Sequence, residues 1–487
     1  MKQLRDYECK LKLKDKKIQK KDEKIRELEE KLKSEKKKRK AAERELKDLA
    51  QAKAAKKPKF PDYSLSRQEK LRDLKEPFKS PGRTPKENKI HKVTREEDIY
   101  PEGVSSSRCV LEYTRIVTHL KDGRKEVILY RIYKKKWSNK RGALPNVMPR
   151  AEYGVEIPVI LAFLIYTIGV SHNQAIQIMS FFCNLDLSPS EVDSLLNQVS
   201  KLWDKEFDNL CDLVLMALVV HIDETGWKEG RKNCYTWIFK ALNHTVLLYG
   251  KRRNEEILDS ILPRSKFKGI GISDCYKIYE NYFRSSQKCW AHFLRKIIKL
   301  MLLHPNKKKY KLFFENLFEL FKEGKLIKRD QALTRKRKEE KVEDLKRKIT
   351  SICKEKDAKL KKRTPKDRRE FVNLQKNLIR NLNDLFTFVL HKEVEPTNNA
   401  AEQGLRFTAK ARNNYQTSKT PKGSRRRSVI ASVLASLKQN LPDFHLKQLL
   451  LRSYVGNKRE NPCSKNSWKI FSSKGHLLDL PPRLQDP

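Results

Sequence analysis

The sequence predicts a mixed α/β protein: a sheet core carrying a helical insertion, preceded by a helical domain, a β-hairpin module and an N-terminal coiled-coil helix. Three observations predict it. β-branched apolar runs follow one another beyond residue 212, a heavily charged helical pattern fills residues 295–393, and two of the apolar runs end in an aspartate. Strands and helices in that order make a mixed α/β sheet. At 487 residues the chain exceeds the ~250–300 at which a single core stops growing, so several units are expected.

Charge narrows the partners. Lys and Arg number 109 against 61 Asp and Glu, a net +48, and such a surplus makes a polyanion the first partner to consider. Nucleic acid leads and an anionic membrane surface follows. The longest apolar stretch, Ile157 to Val170, is shorter than the ~20 residues that cross a bilayer, and the N-terminus is charged, unlike a secretory signal. The expectation is a cytoplasmic, nucleoid-associated protein with no membrane partner. Nine cysteines without a C-x-x-C pair argue against a disulfide framework and a four-cysteine zinc site.

Residues 1–57 lack Pro and Gly and are rich in Lys and Glu, which favours one long helix. Leu4, Leu11, Ile18, Ile25 and Leu32 recur every seven residues, so the helix is expected to mediate pairing with its own kind or with another protein. The alternative is a solvated basic arm. Residues 58–107, with six prolines from Pro58 to Pro101, predict linker. In 108–150, two β-branched runs flank Lys121-Asp122-Gly123-Arg124, whose Asp-Gly supplies hairpin turn chemistry. Helical spacing fills 151–210, with Ser188-Pro189-Ser190-Glu191 as a helix start. The core spans 211–440, with strands expected at LVLMALVVHIDET, CYTWIFKAL, TVLLYGK and GIGISD, a helix near NEEILDSIL and the helical insertion at 295–393. A tail, 441–487, completes the chain.

Asp223 closes the apolar run Val219-Val220-His221-Ile222, where a buried carboxylate would be costly without a cation. Asp274 closes Gly269-Ile270-Gly271-Ile272-Ser273 in the same way, and adjacent strands would hold two acids at one sheet edge, as a metal site requires. Taken singly, either aspartate also fits a turn or helix cap. In Pro396-Thr397-Asn398-Asn399-Ala400-Ala401-Glu402, Pro and Asn open a helix with Glu402 in its first turns and Arg406 one turn on. By itself that pair reads as a surface ion pair.

Together, five motifs in order resemble the transposases of the insertion-sequence 66 group: His221-Ile222-Asp223-Glu224-Thr225, Ser273-Asp274-Cys275-Tyr276, Cys289-Trp290-Ala291-His292, Asn398-Asn399-Ala400-Ala401-Glu402, and Gly423-Ser424 through Ala435-Ser436-Leu437-Lys438. The resemblance covers roughly 155–440. It implies a ribonuclease H-like core with Asp223, Asp274 and Glu402 as an Asp-Asp-Glu triad, ligands of Mg²⁺ with Mn²⁺ as substitute. Two such ions ~3.5–4 Å apart activate the attacking oxygen and stabilise the leaving one. It implies DNA transposition: water cuts the strand to leave a 3′-hydroxyl, which then attacks double-stranded target DNA. A homo-oligomer and companion proteins from the same element are the implied partners.

The neighbours carry alternatives. Cys289-x-x-His292 has ligand types at helical spacing but no second pair, so no zinc is expected and both residues, like His221, are assigned supporting roles behind the acids. Trp227 and Trp290 are expected in the core. Arg406 and the run Arg425-Arg426-Arg427 are candidate DNA contacts, the run as a phosphate-binding loop or as a solvated charge run. Two features depart from the family: residues 80–150 offer only Cys109 where many relatives have a cysteine-rich zinc module, and Gln403 stands where Arg tends to follow the last acid. A zinc-free β-rich unit is therefore expected at 80–150. Two other readings remain, a ribonuclease H-like nuclease or resolvase and a retired transposase that binds DNA by charge alone.

Overall fold

The computed structural model describes residues 92–446 apart from 145, 149–150, 362, 414–416 and 442–443, together with Glu23 and Ser34, which are helical. The proposed coiled-coil helix, most of the linker and the tail beyond 446 lie outside the described residues. The chain divides into two units, 1–86 and 87–487, and the second carries both sheets and the helices that cover them.

Its first element corrects the linker assignment. Strand β1, Arg95–Ile99, pairs in parallel with β3, Arg124–Lys135, from Arg95 opposite Ile128 to Ile99 opposite Ile132. Apart from Pro101 the proline run stops at Pro85, so nothing prevents 86–100 from pairing, and the charges of β1 are answered across the strands by Arg131, which meets Glu96 and Asp98. Strand β2, Cys109–Lys121, joins β3 in the expected hairpin, Lys121 opposite Arg124. Asp122 (φ 50°) and Gly123 (φ 76°) are both left-handed, the geometry that matches the twist of a two-residue hairpin. The sheet order is β1-β3-β2, around Val117, Ile128, Tyr130 and Ile132.

Four helices come next: α1 (Glu156–Phe163), α2 (His172–Cys183), α3 (Pro189–Leu202) and α4 (Asp204–Leu215). The start read at Ser188 is a capping box: its side chain accepts from Glu191 N and the Glu191 carboxylate accepts from Ser188 N. Helix α4 continues through Leu213-Val214-Leu215, a stretch expected to be strand. Phe207, Leu210, Leu213 and Val214 are buried at helical spacing, and this packing decides the state of an apolar run that periodicity alone leaves ambiguous.

The central sheet has β4 (Val219–Glu229), β5 (Lys232–Lys240), β6 (Thr245–Lys251), β7 (Ile270–Ser273) and β8 (Ser285–Lys288), with α5 (Glu255–Ile261) between β6 and β7. The order is β6-β5-β4-β7-β8; β4, β5 and β6 are antiparallel neighbours, and β4, β7 and β8 run parallel. Strand β8, Ser-Ser-Gln-Lys, has no apolar signal and is not among the strands the sequence predicts. Its polar groups are satisfied internally: Gln287 Nε2 donates to the Leu385 carbonyl (3.0 Å), Gln287 Oε1 accepts from Phe388 N (2.9 Å), and Lys288 Nζ donates to Ser273 Oγ and the Tyr279 carbonyl (both 3.1 Å).

The insertion consists of α6 (Trp290–Leu303), α7 (Lys308–Arg329), α8 (Arg335–Ile352), α9 (Lys366–Arg380) and α10 (Thr387–Leu390), packed around Phe313, Leu317, Leu345 and Phe371. Two helices return to the sheet, α11 (Asn399–Asn413) and α12 (Pro421–Asn440). The serines of the last sequence motif have a structural use. The amides of Tyr249, Leu247 and Thr245, alternate residues of the edge strand β6, donate to the hydroxyls of Ser428, Ser432 and Ser436, one helical turn apart on α12 (2.8–2.9 Å). A helix thereby covers an edge that would otherwise template strand addition.

Candidate active site

Two of the three acids come from neighbouring strands. In the parallel pair β4–β7, Val219 lies opposite Ile270 and His221 opposite Ile272, where the pairing ends; Asp223 and Asp274 each follow two residues later, and the charge of Asp274 is felt at Asp223. Asp274, just past β7, accepts from Tyr276 N through Oδ1 (2.9 Å), a turn that holds its carboxylate at the strand end. Glu402 comes from the first turn of α11, which packs across β4 and β5. Gly404 permits that approach: a Cβ there would stand 2.3 Å from Ile238 Cδ1.

The electrostatics tie the three together. Asp223 is pushed up to about 7, first by burial and then by the charges of Glu224, Asp274 and Glu402, against the lowering effect of the hydrogen bond its Oδ1 accepts from Glu224 N (2.8 Å). A desolvated carboxylate with three further carboxylates in range is the environment a divalent cation relieves, and all-oxygen donors suit a hard ion. Asp223, Asp274 and Glu402 are a donor set that fits a hard divalent cation.

This shift has a measurable consequence. An unfolded aspartate titrates near 3.9, so between about pH 4 and 7 the folded chain binds the extra proton and its stability falls as pH rises through that window. Asp223→Asn is expected to remove this slope and, without metal, to be more stable than the parent at pH 8 by on the order of 2–4 kcal/mol, with little difference at pH 4. Urea melts at both pH values check this; a variant no more stable at pH 8 would contradict it.

Behind the acids stands Asn398, fully buried, a residue that sequence reasoning does not single out. Its Nδ2 donates to the Ile222 carbonyl (2.7 Å), its Oδ1 accepts from His221 Nδ1 (3.1 Å), and its backbone N–H donates to Cys289 Sγ (3.1 Å). It therefore joins the strand of Asp223, the start of α6 and the start of the helix that carries Glu402. This explains His221 and Cys289: burial lowers the imidazole and raises the thiol, so both stay neutral and serve as hydrogen-bond partners. The signal is present in the sequence, since 221, 289 and 398 all lie in quoted motifs, but each motif shows only one side of the contact.

Glu402 pairs with Arg295 Nη2 (2.7 Å) of α6, and His292 Nδ1 lies 3.8 Å away; the anticipated partner Arg406 is exposed and is replaced by Arg295. Cys289, His292 and Glu402 together present ligand atoms all within 4.8 Å of one another. Sequence reasoning sets zinc aside because Cys289 and His292 lack a second pair; the fold brings a third donor from α11. Glu224, on the opposite face of β4 from Asp223 and almost fully buried, is held by Arg253 Nη2 (2.5 Å) and by the Tyr279 hydroxyl, while Arg253 stacks 3.6 Å above Tyr276. Sequence reasoning assigns none of these four a role.

The arginine run lies in the first turns of α12, not in a loop. Arg425 pairs with Asp204 (2.6 Å) and covers Phe207; Arg426 pairs with Asp193 (2.6 Å) and bonds Tyr166. Arg427 is buried among the rings of Tyr166, Trp227 and Tyr249. The run thus ties α12 to the helical layer and the sheet. Trp227 and Trp290 are buried as expected, their indole N–H groups donating to Ser418 Oγ (3.1 Å) and the Leu385 carbonyl (2.6 Å). Among the described residues, no helix is long and apolar enough to cross a membrane.

Compared with known families, residues 153–426, more than half of the chain, match the model described as "Transposase IS66 family". A search of curated proteins finds no match.

Proposed function

We propose, since this chain belongs to the IS66 family of transposases, that it is an Asp-Asp-Glu DNA transposase with Asp223, Asp274 and Glu402 as its metal ligands. The observation that carries the reading is that Asp223, a desolvated carboxylate on β4, has Asp274, just past β7, and Glu402, on α11, within electrostatic range: burial first, and then the charges of Glu224 and these two, push it up to about 7. A ribonuclease H-like core is supported by the mixed five-stranded sheet, in which the central strand β4 has an antiparallel neighbour, β5, on one side and a parallel one, β7, on the other.

Mg²⁺, with Mn²⁺ as substitute, would supply charge to activate the attacking oxygen and to stabilise the leaving one. The chain's own work is to bind and orient. Asp223, within β4, and Asp274, just past the end of β7, would hold the cation through their carboxylates, Asp223 in its deprotonated form. Glu402, paired with Arg295 in this structure, would be the third ligand, and Asn398 ties the start of α11 to β4. In cleavage, water attacks the phosphodiester and releases a 3′-hydroxyl strand end; in joining, that hydroxyl attacks a target phosphodiester and expels a new 3′-oxygen, so phosphodiester bonds are exchanged one for one. Double-stranded DNA is both donor and target, and the basic surplus supplies affinity. Homo-oligomers and companion proteins from the same element complete the proposed partners. A strand-transfer assay with a precleaved 3′-hydroxyl end tests the reading: joined product identifies a transposase, whereas cleavage without joining identifies a nuclease.

A further inference from the structure

The β-hairpin module ends in a short turn that the catalytic reading does not use. Residues 134–141 read Lys-Lys-Lys-Trp-Ser-Asn-Lys-Arg, five cations and no acid. At the tip Trp137 is fully exposed, in contrast to the buried Trp203, Trp227, Trp237 and Trp290. Its φ of 57° is left-handed, a conformation that a large side chain adopts at a cost. A bulky aromatic with nothing to pack against, held in an unfavourable backbone state, gains nothing for the fold.

The turn is nonetheless fixed. Lys135 N donates to the Lys140 carbonyl (2.8 Å), Gly142 N to the Tyr133 carbonyl (2.9 Å) and Lys136 N to the Arg108 carbonyl (2.8 Å). Gly142 sits so close to β1 that a Cβ would meet the Ile99 carbonyl at 2.3 Å. A fixed base therefore presents an exposed indole in a turn that also carries Lys135, Lys136, Lys140 and Arg141.

We propose that this turn is a DNA-contacting tip in which Trp137 stacks on an unpaired or unstacked base while the flanking cations meet the phosphates on either side. Aromatic faces accept any base, and neighbouring cations track the backbone, the combination that single-strand binders use. A fully paired duplex hides base faces, so the tip fits strand ends and distorted steps better than intact duplex. The inference rests on DNA being the substrate, but it concerns a different surface from the three acids.

The test uses full-length protein in EDTA, so that no strand is cut, and follows tryptophan fluorescence and affinity with a short single strand and a duplex of equal length. The parent is expected to show quenching by the single strand that Trp137→Phe lacks. Trp137→Asn should weaken single-strand binding by about 5- to 150-fold, the loss of one base–aromatic stack, with duplex affinity changed less than about twofold. Because Asn tolerates the left-handed state and no packing is lost, its Tm should equal or exceed that of the parent. Unchanged single-strand affinity in Trp137→Asn, or equal losses on both DNAs, would overturn the stack. Quenching by vesicles of anionic phospholipid and not by DNA would also overturn it, in favour of a membrane surface. A parent that binds neither DNA would remove the substrate reading itself.

Discussion

Asp223→Ala and Asp274→Ala are each expected to abolish strand cleavage and strand joining, by on the order of 10³-fold or more, while DNA affinity stays within about twofold of the parent. The two effects separate because they have different origins. On the proposed function, affinity comes from a surplus of 48 positive charges spread over the chain, whereas the chemistry depends on the carboxylates of Asp223, Asp274 and Glu402. Asp223→Ala relieves the burial cost of that carboxylate and its repulsion with Asp274 and Glu402, whereas Asp274→Ala gives up the hydrogen bond from Tyr276 N that fixes its turn. Lost activity with an undiminished melting temperature is therefore expected of Asp223→Ala, and lost activity with a modest fall in melting temperature of Asp274→Ala. Joining retained in either variant would refute the assignment, and loss of DNA binding in step with activity would reduce it to a folding defect.

Asn398→Ala is expected to show the second large effect, through position rather than chemistry. It leaves the Ile222 carbonyl and His221 Nδ1 without partners in a buried site, where each orphaned group costs about 1–3 kcal/mol. A loss of about 2–5 kcal/mol should appear in urea melts. Cleavage should fall even at temperatures where the variant is fully folded, since the start of α11 is no longer tied to the strand of Asp223. A variant with parental stability would show that the two side-chain contacts carry little, and one with reduced stability but parental cleavage would show that Glu402 does not need them.

The legible and illegible parts of this protein divide by the range of the contacts involved. Asp223 and Asp274 can be singled out because an apolar run leads into each, and the hairpin because Asp-Gly alone specifies its turn. Glu402 has no such local mark. With Arg406 it reads as a surface pair, and only its place in a series of motifs marks it; the observed partner, Arg295, lies 107 positions away. Strand β8 is invisible in the sequence because Gln287 and Lys288 are buried by hydrogen bonds to the insertion and to the segment after β7, not by apolar periodicity. The run Leu213-Val214-Leu215 misleads for the opposite reason, since an apolar stretch suits strand and helix equally until Phe207 and Leu210 set its face. Arg425, Arg426 and Arg427 show the same limit for charge: a basic run looks alike whether it meets phosphate or, as in this fold, aspartates and aromatic rings of its own chain.

The central claim, that the chain holds divalent metal between Asp223, Asp274 and Glu402, has a close competitor in the ligand atoms of Cys289, His292 and Glu402. Titration of the purified chain with Mn²⁺, followed by electron paramagnetic resonance, separates them because Glu402 is common to both sets and the other residues are not. Binding that is lost in Asp223→Asn and Asp274→Asn and retained in a Cys289→Ser, His292→Gln double variant is the result predicted. Binding that survives both aspartate replacements and disappears from the double variant would contradict it.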